Sequence, residues 1–455
     1  MQPLGAEYRD RTRHAIAGTP EVREAVTAAT THFETQQRRA YAQIDAEAWR
    51  SWAQSVKDHA LTHLGDFLEQ AEARLTERGV RVHWAETEAD VHALLGSLVA
   101  GRGVRRVVKG KSMLSEELGV NRHLEGLGVE VVETDLGEYI IQLLGEAPSH
   151  IVGPAIHKSL DDVRALFGER LGTAPDASAE SLAAAARGVL REAFLTADMG
   201  ITGCNFLVAE TGSLAIMENE GNIRLSTSLP RVHVALVGIE KVLPRWSDLA
   251  GFLQLTARAA TGQPVATYVS LVQGPRGGER DGPDEVHVVL VDNGRTRALA
   301  DPEAWSTLRC LRCGACLNSC PVYRQTGGHA YGWVYSGPIG AVLAPALTGL
   351  EAAHPLPFAS TLCGACVEVC PVRIPITDLL LEWRRRSVEA GLAPRTERIA
   401  LGVYGALGER PALFGAAARA LRSLPVVAQG AWSEGRGPLR PAERTFRERW
   451  KDGDV

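Results

Sequence analysis

Seven of the chain's eight cysteines lie between Cys310 and Cys370, in two copies of one phrase. The first copy reads Cys310-Leu311-Arg312-Cys313-Gly314-Ala315-Cys316-Leu317-Asn318-Ser319-Cys320-Pro321, a complete C-x2-C-x2-C-x3-C-P run. The second reads Ser360-Thr361-Leu362-Cys363-Gly364-Ala365-Cys366-Val367-Glu368-Val369-Cys370-Pro371, with Ser360 where an opening cysteine would stand. This spacing belongs to iron–sulfur ligation and hence to one-electron chemistry. Structural zinc usually pairs two C-x2-C elements or adds histidine, and it does not need this run.

Three cysteines at three-residue spacing wrap one face of a cubane, and the x3 step with its proline sends the fourth cysteine to the other cluster. The crossed rule assigns Cys310, Cys313, Cys316 and Cys370 to a first, 4Fe-4S cluster. It leaves Cys320, Cys363 and Cys366 for a second, one thiolate short. That second site is expected to hold a 3Fe-4S cluster, or a 4Fe-4S cluster completed by oxygen from Ser360, water or substrate, or by Cys204. Cys204 lies in Gly203-Cys204-Asn205 beside strand-like sequence and reads more simply as a small buried residue. Gly314 and Gly364 let backbone N–H groups approach the sulfides.

Other motifs are weaker. Gly110-Lys111-Ser112 looks like the end of a phosphate-binding loop, but Arg105 stands where that loop needs glycine. No G-x-G-x-x-G follows a strand, so dinucleotide binding has no support. Lys109 and Lys111 could bind an anion at the start of the next helix, or sit in a solvated turn. Glu210 could point into a pocket at the end of strand Phe206–Ala209, or Glu210-Thr211-Gly212-Ser213 could be a plain hairpin turn. His150 and His157 read as structural. His329, Tyr331, Trp333 and Tyr335, between the cysteine runs, read as core packing before cluster shielding.

The elements that must carry these residues fall into four regions. Residues 1–76 are helical and charged, with apolar residues at three- and four-residue intervals over 48–75. Residues 77–295 alternate strands and helices, which predicts an α/β domain around a mostly parallel sheet. Strands are expected at 79–84, 104–108, 129–133, 150–152, 206–209, 213–217, 232–237 and 286–291, and helices at 86–99 and 178–196. Residues 296–390 are expected to form a helical, ferredoxin-like two-cluster domain, with helices near 339–350 and 377–389. Residues 391–455 form an Arg-rich extension divided by Pro425, Pro438 and Pro441, whose aromatics Trp432, Phe446 and Trp450 could pin it to another domain.

At 455 residues the chain exceeds one ordinary core. A net charge of -5 without long single-sign runs argues against nucleic-acid binding. Glu7 and Asp10 and the absence of an apolar start argue against a secretory signal, and thiolates at metal-ligand spacing suit a reducing compartment. A cytoplasmic location is expected, with a peripheral position at the inner membrane surface left open. Residues 325–350 carry no Asp, Glu, Lys or Arg, but their glycines and prolines predict a buried cover over the clusters, not a membrane span.

Together these residues resemble the bacterial lactate utilization protein B family. The resemblance rests on Lys109-Gly110-Lys111-Ser112-Met113, on Ala209-Glu210-Thr211-Gly212-Ser213 with Gly221-Asn222-Ile223-Arg224, and on both cysteine runs. Gly327-Gly328-His329-Ala330-Tyr331-Gly332 and Gly337-Pro338-Ile339-Gly340 also match, and Ser360 looks like the family pattern. The resemblance implies an N-terminal LUD domain, similar in fold to sugar-phosphate isomerases and CoA transferases, then the ferredoxin-like domain and a helical extension. It implies action with a cysteine-rich iron–sulfur subunit and a smaller LUD protein in oxidising L-lactate to pyruvate, with electron transport as this member's role. Catalytic residues are not defined by it, and Lys111, Ser112, Glu210, Thr211 and Ser213 are pocket candidates only.

The expected function is therefore an electron-transfer subunit that is not catalytic alone. One alternative is a subunit that oxidises lactate or another 2-hydroxy acid itself, using the LUD pocket and the under-ligated second cluster. Another is a redox-sensing regulatory protein. The electron acceptor is not legible, and no flavin or nicotinamide motif is visible.

Overall fold

Strands buried on both faces are near-continuous apolar runs, and Val232-His-Val-Ala-Leu-Val-Gly238 and Glu285-Val-His-Val-Val-Leu-Val291 are of this kind. A computed structural model describes residues 7–18, 20–278, 281–422 and 442–454. They fall into two compact units, Met1–Arg385 and Arg386–Val455.

The strands are β1 (Arg81–Ala85), β2 (Arg106–Lys109), β3 (Glu130–Glu133), β4 (Met199–Thr202), β5 (Phe206–Val208), β6 (Ser213–Glu218), β7 (Val232–Gly238), β8 (Val242–Leu243), β9 (Tyr268–Val272) and β10 (Glu285–Val291). Six of them form a parallel sheet in the order β1-β10-β7-β4-β2-β3. The other four form a second sheet, β8-β5-β6-β9, in which β5 pairs antiparallel with β6 and parallel with β8. The expected α/β domain with a mostly parallel sheet is present.

Two differences from the sequence reading have physical causes. The central strand β4 is short and carries Gly200, which reads as a breaker. A Cβ at Gly200 would lie 1.9 Å from the Ser226 carbonyl oxygen, so the glycine is what lets the helix Asn222–Ser228 close on the strand. His150–Val152, by contrast, is not a strand. Its β-branched residues imitate one, but Ser149 N–H donates to the Pro154 carbonyl at 3.0 Å and the chain folds back as a loop.

The N-terminal region forms helices Tyr8–Gly18, Pro20–Tyr41, Ala46–Thr62 and Leu64–Glu77. Asp45 caps the third of these by accepting from Ala48 N–H at 3.0 Å. In the cysteine region, the helix Gly337–Thr348 is buried from Gly337 through Leu347 and contains Pro345. A Cβ at Gly340 would meet the Tyr335 carbonyl oxygen at 2.0 Å, so the chain turns tightly there. This helix is the buried cover expected of 325–350. Among the described residues no helix is long and apolar enough to cross a membrane.

The second unit contains helices Arg395–Gly408, Pro411–Arg422 and Phe446–Lys451, with Tyr404 and Phe414 ring centroids 6.1 Å apart. Phe446 and Trp450 are exposed, whereas Pro425, Trp432, Pro438 and Pro441 lie outside the described residues.

Candidate metal centre

The two cysteine runs fold alike. Arg312 and Leu362 both adopt positive φ (63° and 57°), and Gly314 and Gly364 follow in the left-handed region (75° and 86°). Each run then enters a one-turn helix, Ala315–Asn318 and Ala365–Glu368, closed by N–H donation to Gly314 O and Gly364 O at 2.9 Å. A non-glycine residue at positive φ costs roughly 1–2 kcal/mol, yet it recurs at the same step of both runs. It turns a peptide N–H onto the side chain two residues earlier. Arg312 N–H donates to Cys310 Sγ at 3.4 Å, and Leu362 N–H donates to Ser360 Oγ at 3.1 Å. After the C-P steps, Tyr323 N–H reaches Cys320 Sγ at 3.5 Å from three residues on, and Ile374 N–H reaches Cys370 Sγ at 3.3 Å from four residues on.

Cys310, Cys313, Cys316 and Cys370 line one small cavity, whose apolar wall includes Ile339, Ile374 and Ile376. Burial, with Cys310 and Cys370 nearby, pushes the Cys313 thiol up to about 12. Burial pushes Cys370 up to about 11, with Cys310 nearby, and Cys313, Cys316 and Cys366 are also within reach of its charge. Cys320 has Cys363 as its thiol neighbour. Cys366 is pushed up to about 12 by burial, then by Cys320 and Cys363. All seven are free thiols, and only Cys363 among them is exposed. Grouped buried thiols ionise poorly alone and readily exchange their protons for metal. Four soft sulfur donors in an apolar wall, with N–H groups on the sulfurs, fit an iron–sulfur group. The second group has three thiols, with the Ser360 hydroxyl at the position equivalent to Cys310.

Residues far off in sequence clamp these runs. Arg50, on the third N-terminal helix, donates to Cys370 O and Val367 O at 2.9 Å each, and Gln37 donates to Val369 O at 3.2 Å. On the α/β side, His150 Nδ1 accepts from Val152 and Gly153 N–H at 3.1 Å each, so its Nε2 carries the proton given to Asn318 Oδ1 at 3.1 Å. Burial, then Lys111, pushes His150 down to about 3. Tyr335 donates to Glu117 at 2.7 Å, and Glu117 pairs with Arg295 at 2.9 Å, all three buried. Tyr331 is buried with its ring 5.8 Å from Tyr8, while His329 donates to Ala147 O at 2.7 Å and Trp333 packs edge-on to Tyr335. These aromatics are packing residues.

A cavity of about 430 Å³ opens where β2, β4 and β7 end, the usual ligand position in a parallel sheet. Lys111, Ser112, Cys204, Lys241, Arg312 and Cys313 are among the residues that line it. Glu210, Thr211 and Ser213 are not among the residues that line this cavity. Glu210 accepts from Trp246 N–H at 2.7 Å, and Thr211, Ser213 and Gln273 bond one another on the second sheet. Lys109 is no anion site either, because it is buried against Glu116 (2.8 Å) and Glu133 (2.7 Å). Burial alone would lower its ammonium, and those carboxylates hold it above the ordinary lysine range. Lys111 donates to Val152 O at 2.8 Å, and burial lowers it despite Asp135 and Glu138. Cys204 Sγ donates to Phe206 O at 3.0 Å, and burial pushes it up to about 12.

The pocket therefore abuts Cys313 of the first group and no cysteine of the group Cys320, Cys363 and Cys366. Sequence reasoning missed Arg50, Lys241 and Arg312, and His150 holds the structural place expected of it. A signal existed for two of them: Arg312 lies inside the first run, and Lys241 lies just past the carboxyl end of the central strand β7.

Two family models match the chain, the LUD domain over residues 68–291 and the 4Fe-4S dicluster domain over 306–374. The chain is 42% identical to Lactate utilization protein B of Shouchella clausii over 94% of each chain. It is 41% identical to Lactate utilization protein B of Bacillus velezensis, over 98% of this chain and 97% of that one. It is also 42% identical to the uncharacterized electron transport protein YkgF of Escherichia coli, over 91% of this chain and 87% of that one. A solved DUF162 family protein from Deinococcus radiodurans aligns with 50% of this chain and 98% of its own at 16% identity and a TM-score of 0.29, too slight a likeness to carry an argument. With a parallel-sheet LUD domain, a doubled cysteine run folded for cluster ligation and these near full-length relatives, the chain belongs to the lactate utilization protein B family.

Proposed function

We propose that this protein is the iron–sulfur electron-transfer subunit of a multi-subunit system that oxidises L-lactate to pyruvate. The observation that carries the reading is the single cavity lined by Cys310, Cys313, Cys316 and Cys370, three thiols from one run and the last from the other. In this reading those four hold a 4Fe-4S cluster. Cys320, Cys363 and Cys366 hold a second cluster, either 3Fe-4S or 4Fe-4S with an oxygen ligand, for which Ser360 Oγ is the candidate. Such clusters take up and release one electron at a time, while lactate gives up two.

The chain's own residues supply the setting. The N–H groups of Arg312, Tyr323 and Ile374 stabilise thiolate charge on the sulfurs they face. The buried helix Gly337–Thr348 and the arm carrying Gln37 and Arg50 exclude water from the first set. The second set, with Cys363 exposed, suits exchange with a partner protein. The proposed partners are a cysteine-rich iron–sulfur subunit and a smaller LUD protein, in the cytoplasm or at the inner face of its membrane. The relay module is taken to span 296–390, which contains the matched range 306–374.

Anaerobic purification, iron and sulfide analysis and paramagnetic resonance test the cluster reading. Zinc without iron would overturn it. Mixing the protein with the two partners tests the subunit reading. Lactate-dependent dye reduction that appears only in the mixture is expected, and reduction by this subunit alone would favour direct oxidation in its own cavity.

A further inference from the structure

The loop 146–158 of the α/β domain carries Glu146 and His157, which electron transfer does not use. The glycine-rich turn after the first cysteine run brings His329 to them. One ligand atom from each of the three lies within 4.8 Å of the other two. The chain is built to close here. A Cβ at Gly328 would lie 1.7 Å from the Ser149 carbonyl oxygen, and the Tyr323 hydroxyl donates to that same oxygen at 2.6 Å. Each ring is held from behind. His329 Nε2–H donates to Ala147 O at 2.7 Å, which leaves the lone pair on Nδ1. Ser149 Oγ lies 3.1 Å from the Pro154 carbonyl oxygen and 2.8 Å from His157 Nδ1. With its proton on Pro154 O, this hydroxyl accepts from His157 Nδ1–H and leaves the lone pair on Nε2. That lone pair faces Glu146 Oε2 at 2.9 Å, so a proton or a metal ion must lie between them. Lys158 takes the other carboxylate oxygen, Oε1, at 2.6 Å and so orients Oε2. Imidazoles whose second nitrogen donates to an oxygen, with a carboxylate that is itself hydrogen-bonded, are the usual supports of metal ligands.

We propose that Glu146, His157 and His329 form a binding site for a divalent cation of the zinc class, which joins the loop 146–158 to the turn 327–332. Two imidazoles and one carboxylate suit zinc, with water from the exposed side as fourth ligand, whereas calcium and magnesium take oxygen sets. Tetrahedral zinc with ligands at about 2.0–2.2 Å sets its donors roughly 3.3–3.6 Å apart, so the three atoms need shifts of about an ångström. His329 is exposed and has the room to make them. Glu146 balances the charge of Lys158, so the imidazoles carry most of the binding. The same loop reaches the first cysteine run, because His150 donates to Asn318, which lies between Cys316 and Cys320. A bound ion would therefore fix the loop that rests on that run. The site shares no residue with either cysteine group, and it does not depend on the lactate reading.

The test uses the full-length protein purified anaerobically with its iron in place. Zinc is titrated in competition with a chromophoric chelator, and X-ray absorption at the zinc edge reports the ligand shell. One zinc per chain is expected beside the iron, with nitrogen and oxygen ligands at about 2.0–2.2 Å and no sulfur at about 2.3 Å. His329→Ala and Glu146→Gln, both at exposed positions, should each weaken binding at least about tenfold and leave the iron content unchanged. No zinc bound by the iron-loaded protein would overturn the proposal, as would a sulfur shell. Weak binding that neither variant alters would mean an adventitious ion only and would overturn it too. If a variant loses iron, the ligand shell of the wild type still decides. Zinc in place of iron at the cysteines would show sulfur, so failure here and failure of the cluster reading give different spectra.

Discussion

Ser360 occupies in the second cysteine run the place that Cys310 occupies in the first. The peptide N–H two residues on donates to Cys310 Sγ at 3.4 Å and to Ser360 Oγ at 3.1 Å, from residues with the same left-handed backbone. The site has kept its backbone and changed only its donor atom. Oxygen is a harder ligand than thiolate and a poorer one for an iron–sulfur group.

The first prediction follows from that superposition. Ser360→Cys is expected to convert a three-iron resonance signal in freshly isolated protein to a four-iron one, with a gain of about one iron per chain. Unaltered iron content and spectrum would show that the backbone match does not extend to ligation.

The crossed pairing makes a second prediction. Cys370→Ser should damage the same signal as Cys313→Ser, although Cys370 lies in the other run. Cys320→Ser should instead behave like Cys363→Ser. Each variant should lose up to about half of the iron. Resonance spectra that group the variants by run, and not across runs, would reject the crossed assignment.

The third concerns the joint between the α/β domain and the cysteine region. Glu117 is fully buried between Arg295 (2.9 Å) and the Tyr335 hydroxyl (2.7 Å). Glu117→Gln leaves Arg295 and Arg312 to share the one buried carboxylate of Glu240 and should cost about 3–5 kcal/mol, read from the denaturant midpoint under anaerobic conditions. Tyr335→Phe removes only one hydrogen bond to a charge and should cost about 1.5–3 kcal/mol.

The fourth is a pH effect. His150 is held neutral in the fold, pushed down from 6.5 to about 3 by burial and then by Lys111. Below pH 6.5 the unfolded chain takes up a proton at His150 that the folded chain refuses. Stability is therefore full above 6.5 and falls on acidification towards about 3, by about 1.4 kcal/mol per pH unit well inside that window. Unfolding midpoints measured between pH 7.5 and 5 should fall more steeply in the wild type than in His150→Gln. Equal slopes would show that another group carries the dependence.

Much of the fold was legible because its signals are local. β7 and β10 are unbroken apolar runs, and the cysteine spacing is dictated by the geometry of the group it would hold. β4 was not legible, because Gly200 is there to admit the Ser226 carbonyl, a requirement set by a neighbour in space. His150–Val152 was misread because β-branched residues fit a tight loop as well as a strand when Gly153 and Pro154 follow.

The sequence alone determined the cysteines, the doubled run, its missing member and the α/β class, since each follows from residue type at fixed spacing along the chain. Only the tertiary structure decided which charges meet. It committed Lys109 to Glu116 and Glu133, moved Glu210 to a helix start, and brought Lys241 and Arg312 to a cavity against Cys313. The reason is that burial and pairing are properties of neighbours in space. A lysine neutralised by two carboxylates and a lysine left without one look the same until the sheet order brings their surroundings together.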